Sequence, residues 1–259
     1  MIGGFKDLTP EAGHIVICLA AAHFIGDFLM QSAEMVRQKG RFPVLMGHAM
    51  VVAGLSYLLC GLWSLWQVPV GILATHALID YLKARSTRSG PYAFIIDQAA
   101  HAAVIVALAV IVSTHNDPQP CWIGLLGAWY LKALILISGA IASVNMGGFL
   151  IGAAVRPIQQ RMIAHRKSVG LDDGTDPAGF EQGGMIIGQL ERALIFILTL
   201  TGQAAGIGFL IAAKSILRFG EAQDPRQRMD AEYIIIGTLM SFGWGILVAY
   251  LTLVFLQQV

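Results

Sequence analysis

Charge is what this sequence has least of. Asp, Glu, Lys and Arg make up 13% of its 259 residues, against about 25% in a soluble domain. That deficit is too large to assign to a big core, and it excludes an ordinary soluble fold. The formal net charge is +1, so there is no broad basic field, and no nucleic-acid partner is expected. Cysteine is scarce too. Cys18, Cys60 and Cys121 lie in or beside apolar segments without CxxC spacing, which argues against a disulfide framework and gives a cysteine metal site no motif. Residues 1–11 hold one lysine and two acids, not the basic start of a cleaved leader. The first apolar segment is interrupted by His14, His23 and Asp27 and reads as a retained span. No internal repeat is visible.

What is abundant is hydrophobicity, at 56% of residues and a mean hydropathy of +0.67. A helical span needs about 20 mostly apolar residues. On that template eight segments stand out, at 12–31, 43–65, 68–84, 92–114, 121–144 (extensible to 155), 183–201, 203–219 and 231–256. The fold class expected is therefore all-α, a polytopic bundle of about eight spans. The third and seventh are short, and Asn145-Met146-Gly147-Gly148 is expected to kink or break the fifth. Arg37, Lys39 and Arg41 follow the first span, and Lys83, Arg85 and Arg88 the third. Arg156, Arg161, Arg166 and Lys167 follow the fifth, and Lys214, Arg218, Arg226 and Arg228 surround the end of the seventh. The alternate loops 67–69, 115–120 and 201–203 contain no Lys or Arg. The positive-inside rule then makes the basic loops cytoplasmic and both termini external. Three regions follow: 1–115, 116–182 and 183–259. The polar stretch 157–182 reads as a solvated loop, because its run Asp172-Asp173-Gly174-Thr175-Asp176-Pro177 lacks EF-hand spacing.

Against that apolar background, ionisable residues inside spans are conspicuous. They are His23 and Asp27, then His48, then His76 and Asp80, then Asp97 and His101. Each His–Asp pair is four apart, so both side chains share one helix face. Each ionisable group facing lipid costs about 2.5–3.5 kcal/mol on insertion scales, so seven must turn inward. The topology places all seven in the cytoplasmic third, although they come from four spans. Neutral imidazole with carboxylate suits zinc, manganese or iron, and seven donors allow one or two divalent ions. Some aspartates would instead orient a ligating histidine from behind. A proton or ion pathway and a structural hydrogen-bond network use the same residues. Haem ligation has no spacing in its favour. His14, His115 and His165 fall outside the shared depth. Gln31, four after Asp27, and Gln98, beside Asp97, either contact substrate or cap helices, while Tyr81, Lys83, Arg85 and Arg88 line the rim.

The C-terminal half carries a second cluster of Glu191, Arg192, Lys214, Arg218 and Glu232. A structural ion network explains it, with snorkelling Lys and Arg; the functional reading makes Lys214 and Arg218 a cradle for an anionic headgroup. Gly202, Gly206 and Gly208 read as helix-packing positions.

The run His23-Phe24-Ile25-Gly26-Asp27-Phe28-Leu29-Met30-Gln31, with His76-Ala77-Leu78-Ile79-Asp80-Tyr81 and Asp97-Gln98-Ala99-Ala100-His101, resembles an uncharacterised bacterial family of multi-pass membrane proteins. The segments around Glu191, Lys214 and Glu232 are similar to a longer variant of it. The resemblance implies a bacterial inner-membrane protein and supplies no activity. A looser likeness in His and Asp usage is to membrane-bound metal-dependent hydrolases. The leading expectation is a metal-dependent intramembrane enzyme, a hydrolase of a membrane lipid or lipid-linked phosphoester at the cytoplasmic leaflet. In it His23, His48, His76 and His101 ligate metal, Asp27, Asp80 and Asp97 serve as ligands or water-activating base, and Gln31, Lys214 and Arg218 bind substrate. The rival is a proton- or ion-coupled transporter using the same residues as a relay, and the third class is a non-catalytic scaffold. Oligomeric state is left open.

Overall fold

Proline and small polar residues punctuate the apolar runs, and the helices begin and end at them. Thr9 caps the first helix by accepting from the Ala12 amide at 3.3 Å, with Pro10 in the first turn, where its missing N–H costs nothing. The computed structural model describes residues 9–87, 89–114, 118–168, 183–223 and 228–259. Arg88, His115, the acidic run 172–177 and Arg226 lie outside the described residues, as do the side chains of Arg166, Lys167, Arg218 and Arg228. Among the described residues all regular structure is helical: α1 (Pro10–Phe28), α2 (Ala33–Gln38), α3 (Phe42–Cys60), α4 (Gln67–Arg85), α5 (Pro91–Ser113), α6 (Cys121–Leu126), α7 (Ala128–Ile141), a π turn (Ala142–Met146), α8 (Gly147–Ser168), α9 (Gly183–Leu200), α10 (Ala204–Gln223) and α11 (Arg228–Leu256).

Among the described residues six helices are long and apolar enough to cross a membrane: Pro10–Phe28, Phe42–Cys60, Pro91–Ser113, Ala128–His165, Gly183–Leu200 and Glu232–Leu256. The chain is an all-α, multi-pass membrane protein. The expected third and seventh spans do form helices, α4 and α10, but neither is among the six. Gln67, His76, Asp80, Lys83 and Arg85 dilute the apolar character of α4, and the apolar part of α10 is only Ala204–Ile216. The expected loop from residue 157 is corrected. α8 continues through Pro157 to Ser168, because the polar residues beyond the proline (Gln159, Gln160, Arg161) are good helix formers that face solvent without leaving the helix. Conversely, Gly127 (φ 62°) splits the expected fifth span into α6 and α7. At the stretch expected to kink or break the span, the helix passes through the π turn Ala142–Met146.

The chain divides into two compact units, Met1–Ile141 with Phe255–Val259, and Ala142–Val254. In unit 1, α1 is the central helix. Buried residues make up 61% of its apolar window, against 33% for α3 and 22% for α5, and it packs on α3, α5 and α7. Its small residues allow this. A Cβ on Gly26 would lie 2.7 Å from Val52 Cγ2, so α1 and α3 approach at the level of Asp27 only because that side chain is absent. At the far end of α3, Gly61 takes the left-handed conformation (φ 60°), and a Cβ there would sit 2.5 Å from Cys121 Sγ. Trp122 Nε1 and Tyr130 Oη donate to the last carbonyls of α3, Leu58 O at 2.7 Å and Leu59 O at 2.5 Å.

In unit 2 the π turn frees carbonyls, and side chains take them up. Trp244 Nε1 donates to Ala142 O at 2.9 Å, and Arg192 Nε and Nη2 donate to Val144 O at 3.2 and 2.9 Å. Such turns recur at functional positions because they realign a helix.

Candidate metal centre

Four helices of unit 1 supply the polar cluster, each near one end. His23 and Asp27 lie in the last turns of α1, and His76 and Asp80 toward the end of α4. His48 lies in the second turn of α3, and Asp97 and His101 in the second and third turns of α5. Connections of a few residues join α1 to α3 (through α2) and α4 to α5, so these ends fall together. The residues expected at one depth share a neighbourhood in the fold: His23, His48, His76, Asp80, Asp97 and His101 are all buried, and the Asp27 side chain is 7% exposed.

The tightest part of the cluster is a convergence of four electron-rich atoms. Asp27 Oδ1 lies 3.1 Å from His48 Nε2 and 3.4 Å from His76 Nε2. The two Nε2 atoms are 3.2 Å apart. Asp80 Oδ2 is 3.7 Å from His48 Nε2 and 3.5 Å from His76 Nε2. A tetrahedral ion with bonds of about 2.0–2.1 Å has donor–donor edges of about 3.3 Å. The three separations among Asp27 Oδ1, His48 Nε2 and His76 Nε2 bracket that value, so these three donors could share one face of a tetrahedral divalent ion, with Asp80 beside the two histidines.

A second group shares His76. One ring nitrogen each from His23, His76 and His101 lies within 4.8 Å of the others, beside a cavity of about 10 Å³, room for about one water or ion. The hydrogen bonds assign tautomers here. Gln98 Nε2 donates to Asp97 Oδ2 at 2.9 Å, so Gln98 Oε1 accepts from His23 Nε2–H at 3.2 Å. His23 Nδ1 is left as a bare lone pair, 3.8 Å from Asp27 Oδ2. His101 Nδ1 donates to Asp97 O at 2.9 Å, and its buried Nε2 has no partner. The His23 and His101 rings stack at 4.8 Å. Lone pairs and carboxylates gathered without enough protons favour a cation.

All seven expected metal-site residues are therefore brought together. Two cations that local spacing does not reveal join them. Lys39, the residue capping α2, donates to Asp80 Oδ1 at 2.8 Å and also sits 2.8 Å from Oδ2. Lys83 donates to Asp97 Oδ2 at 2.6 Å. In the sequence both are ordinary loop-flanking lysines, and no local spacing names Asp80 or Asp97 as their partner. Gln31 is half-buried, its Nε2 without a partner, and no hydrogen bond joins it to the cluster among the described residues. Lys214 belongs to unit 2, where its Nζ lies 2.5 Å from Glu191 Oε1. Arg85 stacks over Tyr81 at 4.5 Å.

No curated protein and no solved structure matches the chain, so the likeness to metal-dependent hydrolases has no counterpart there. A family match does exist, and it covers the stretch that holds every residue of the cluster together with Lys39 and Lys83. Residues 15–123 match the family described as "Protein of unknown function (DUF3307)", which makes this part of the chain an uncharacterised domain.

Proposed function

We propose that unit 1 is a metal centre of a membrane hydrolase that acts on a lipid or lipid-linked phosphoester. The observation that carries the metal is the convergence of Asp27 Oδ1, His48 Nε2 and His76 Nε2 at 3.1–3.4 Å, with Asp80 Oδ2 at 3.5–3.7 Å from the two histidines. His23 and His101 offer a second position through the shared His76. A divalent ion bound there would supply Lewis acidity toward a phosphoryl oxygen and an activated water near neutral pH. The chain's own groups set the rest. Lys39 balances the Asp80 carboxylate from behind, and Asp97, held by Lys83 and Gln98, fixes the ring orientation of His101 through its carbonyl. Lys83, the most exposed of these groups at 43%, marks the side from which an anionic substrate approaches. The reading places the protein in a bacterial cytoplasmic membrane, with α4 and α10 completing eight spans, both termini outside and the basic connections in the cytoplasm.

Elemental analysis after metal-replete purification tests the centre. Stoichiometric zinc, manganese or iron is expected, lost in His48→Ala and Asp27→Ala. A wild-type protein without transition metal sinks the reading. Release of phosphate or headgroup from lipid substrates, absent in the same variants, tests the hydrolase step.

A proton relay is favoured by one specific observation: His48 Nδ1 is buried with no partner. A metal on Nε2 would put the proton on Nδ1 and leave a buried donor unsatisfied, whereas a proton on Nε2 leaves only an idle acceptor. The run of close polar contacts from Lys39 and Asp80 through His76, His48 and Asp27 would then conduct protons. Proton flux in liposomes that vanishes in Asp27→Asn, from a protein free of metal, selects the relay.

A further inference from the structure

A separate cavity of about 450 Å³ lies within unit 2. Glycines open it. Gly148 and Gly152 of α8, and Gly184 and Gly188 of α9, are each four apart and so share a helix face. A Cβ on Gly152 or Gly184 would meet nothing within 4 Å. Ile151, Val155, Met185 and Ile187 form an apolar wall, and Glu191, Arg192 and Lys214 a charged one.

Arg192 is 3% exposed. Its Nε and Nη2 donate to Val144 O, and its Nη1 donates to Ser241 Oγ at 3.1 Å. Glycine makes room for it. A Cβ at Gly148 would stand 3.1 Å from Nη2, and one at Gly188 3.1 Å from Nη1. These acceptors are all neutral. The neighbouring carboxylate, Glu191, gives its Oε1 to Lys214 Nζ at 2.5 Å. Two of the three charges on the cavity therefore pair with each other, and a buried guanidinium keeps its charge. Among the described residues it makes three of the five N–H bonds it can donate. A buried arginine whose hydrogen-bond acceptors among the described residues are all neutral favours an anion in a membrane protein, and its planar fork matches phosphate. The volume falls in the range of small-molecule sites, about 300–1,000 Å³, far more than a free phosphate fills, and the apolar wall suits acyl chain.

We propose that the unit 2 cavity binds a phosphate-bearing anionic amphiphile, its phosphodiester held by Arg192 beside Lys214 and its acyl portion along Ile151, Val155, Met185 and Ile187. The site stands on unit 2 alone and does not rest on the metal centre.

Native mass spectrometry of the purified full chain, titrated with phosphatidylglycerol, phosphatidylcholine or inorganic phosphate, tests it. Wild type is expected to retain phosphatidylglycerol over phosphatidylcholine, with no displacement by inorganic phosphate. Gly152→Trp fills the cavity from an open position and leaves every Arg192 hydrogen bond in place. It should weaken retention ~10-fold or more, and Gly184→Leu should act likewise if the tryptophan variant does not fold. Arg192→Gln should lose the preference for the anionic lipid. Equal retention of both lipids, or unchanged retention in folded cavity-filled variants, overturns the proposal. Displacement by inorganic phosphate overturns the amphiphile and assigns the anion to the aqueous phase. Metal content measured on the same samples should stay at the wild-type level in Gly152→Trp, so failure of the lipid site and failure of the metal centre read out separately.

Discussion

Gly26→Ala tests how the proposed metal centre is held together without touching a proposed ligand. The substituted Cβ would lie 2.7 Å from Val52 Cγ2, where ordinary carbon contacts are about 3.5–4.0 Å. α1 and α3 must therefore part locally by about 1 Å, since valine is stiff at χ1 and offers little retreat. Asp27 follows Gly26 directly, and its 3.1 Å reach to His48 Nε2 would stretch to about 4 Å, past the edge of about 3.3 Å that a tetrahedral ion spans. Stability is the blunter readout. Overpacking costs about 1–3 kcal/mol, and alanine returns about 0.5–1 kcal/mol of helix preference over glycine. Metal affinity, measured by competition with a chelator of known strength, is the sharper one and should fall ~10-fold or more. Val52→Ala removes the obstructing methyl and leaves Val52 Cβ at 3.5 Å from the new Cβ, an ordinary contact. The double variant Gly26→Ala/Val52→Ala should recover most of the lost affinity, a coupling that a double-mutant cycle measures. Wild-type affinity in Gly26→Ala, or no recovery in the double variant, would refute the claim that helix approach sets the site.

Lys39→Met removes the ammonium 2.8 Å from both Asp80 oxygens. Metal affinity should drop ~10–100-fold, the usual effect of an outer partner, and an unchanged chelator titration would deny Lys39 that role. Gly61→Ala meets both a left-handed backbone and Cys121 Sγ. It should lower stability by at least about 1–2 kcal/mol, read as a lower thermal midpoint, with metal content per folded molecule unchanged because the metal donors sit at the other end of α3. Trp244→Phe removes the donor to Ala142 O and should cost about 0.5–1.5 kcal/mol; amide exchange confined to 142–148 should speed up, and uniform acceleration across unit 2 would contradict the local account.

Composition alone excluded a soluble fold, because 13% charge is too little to clothe a water-facing surface. The i,i+4 spacing of His23 with Asp27, His76 with Asp80, and Asp97 with His101 put each pair on one face by helix geometry. Alternating basic loops then predicted a common depth for the pairs. Distances between helices were beyond such reasoning, since depth says nothing about lateral position. That His48 and His76 meet over Asp27, while Asp97 is held by Lys83 and Gln98, depends on how α1, α3, α4 and α5 pack, and on the missing Cβ of Gly26. Lys39 reaching Asp80 across 41 residues has no local signature at all. The same limit explains α8, where polarity after Pro157 read as loop although exposed helix is equally polar. The sequence determined which residues must avoid lipid, because that is a property of each side chain in its helix. Only the tertiary structure decided which of them face one another, because contact between helices is a property of the packing.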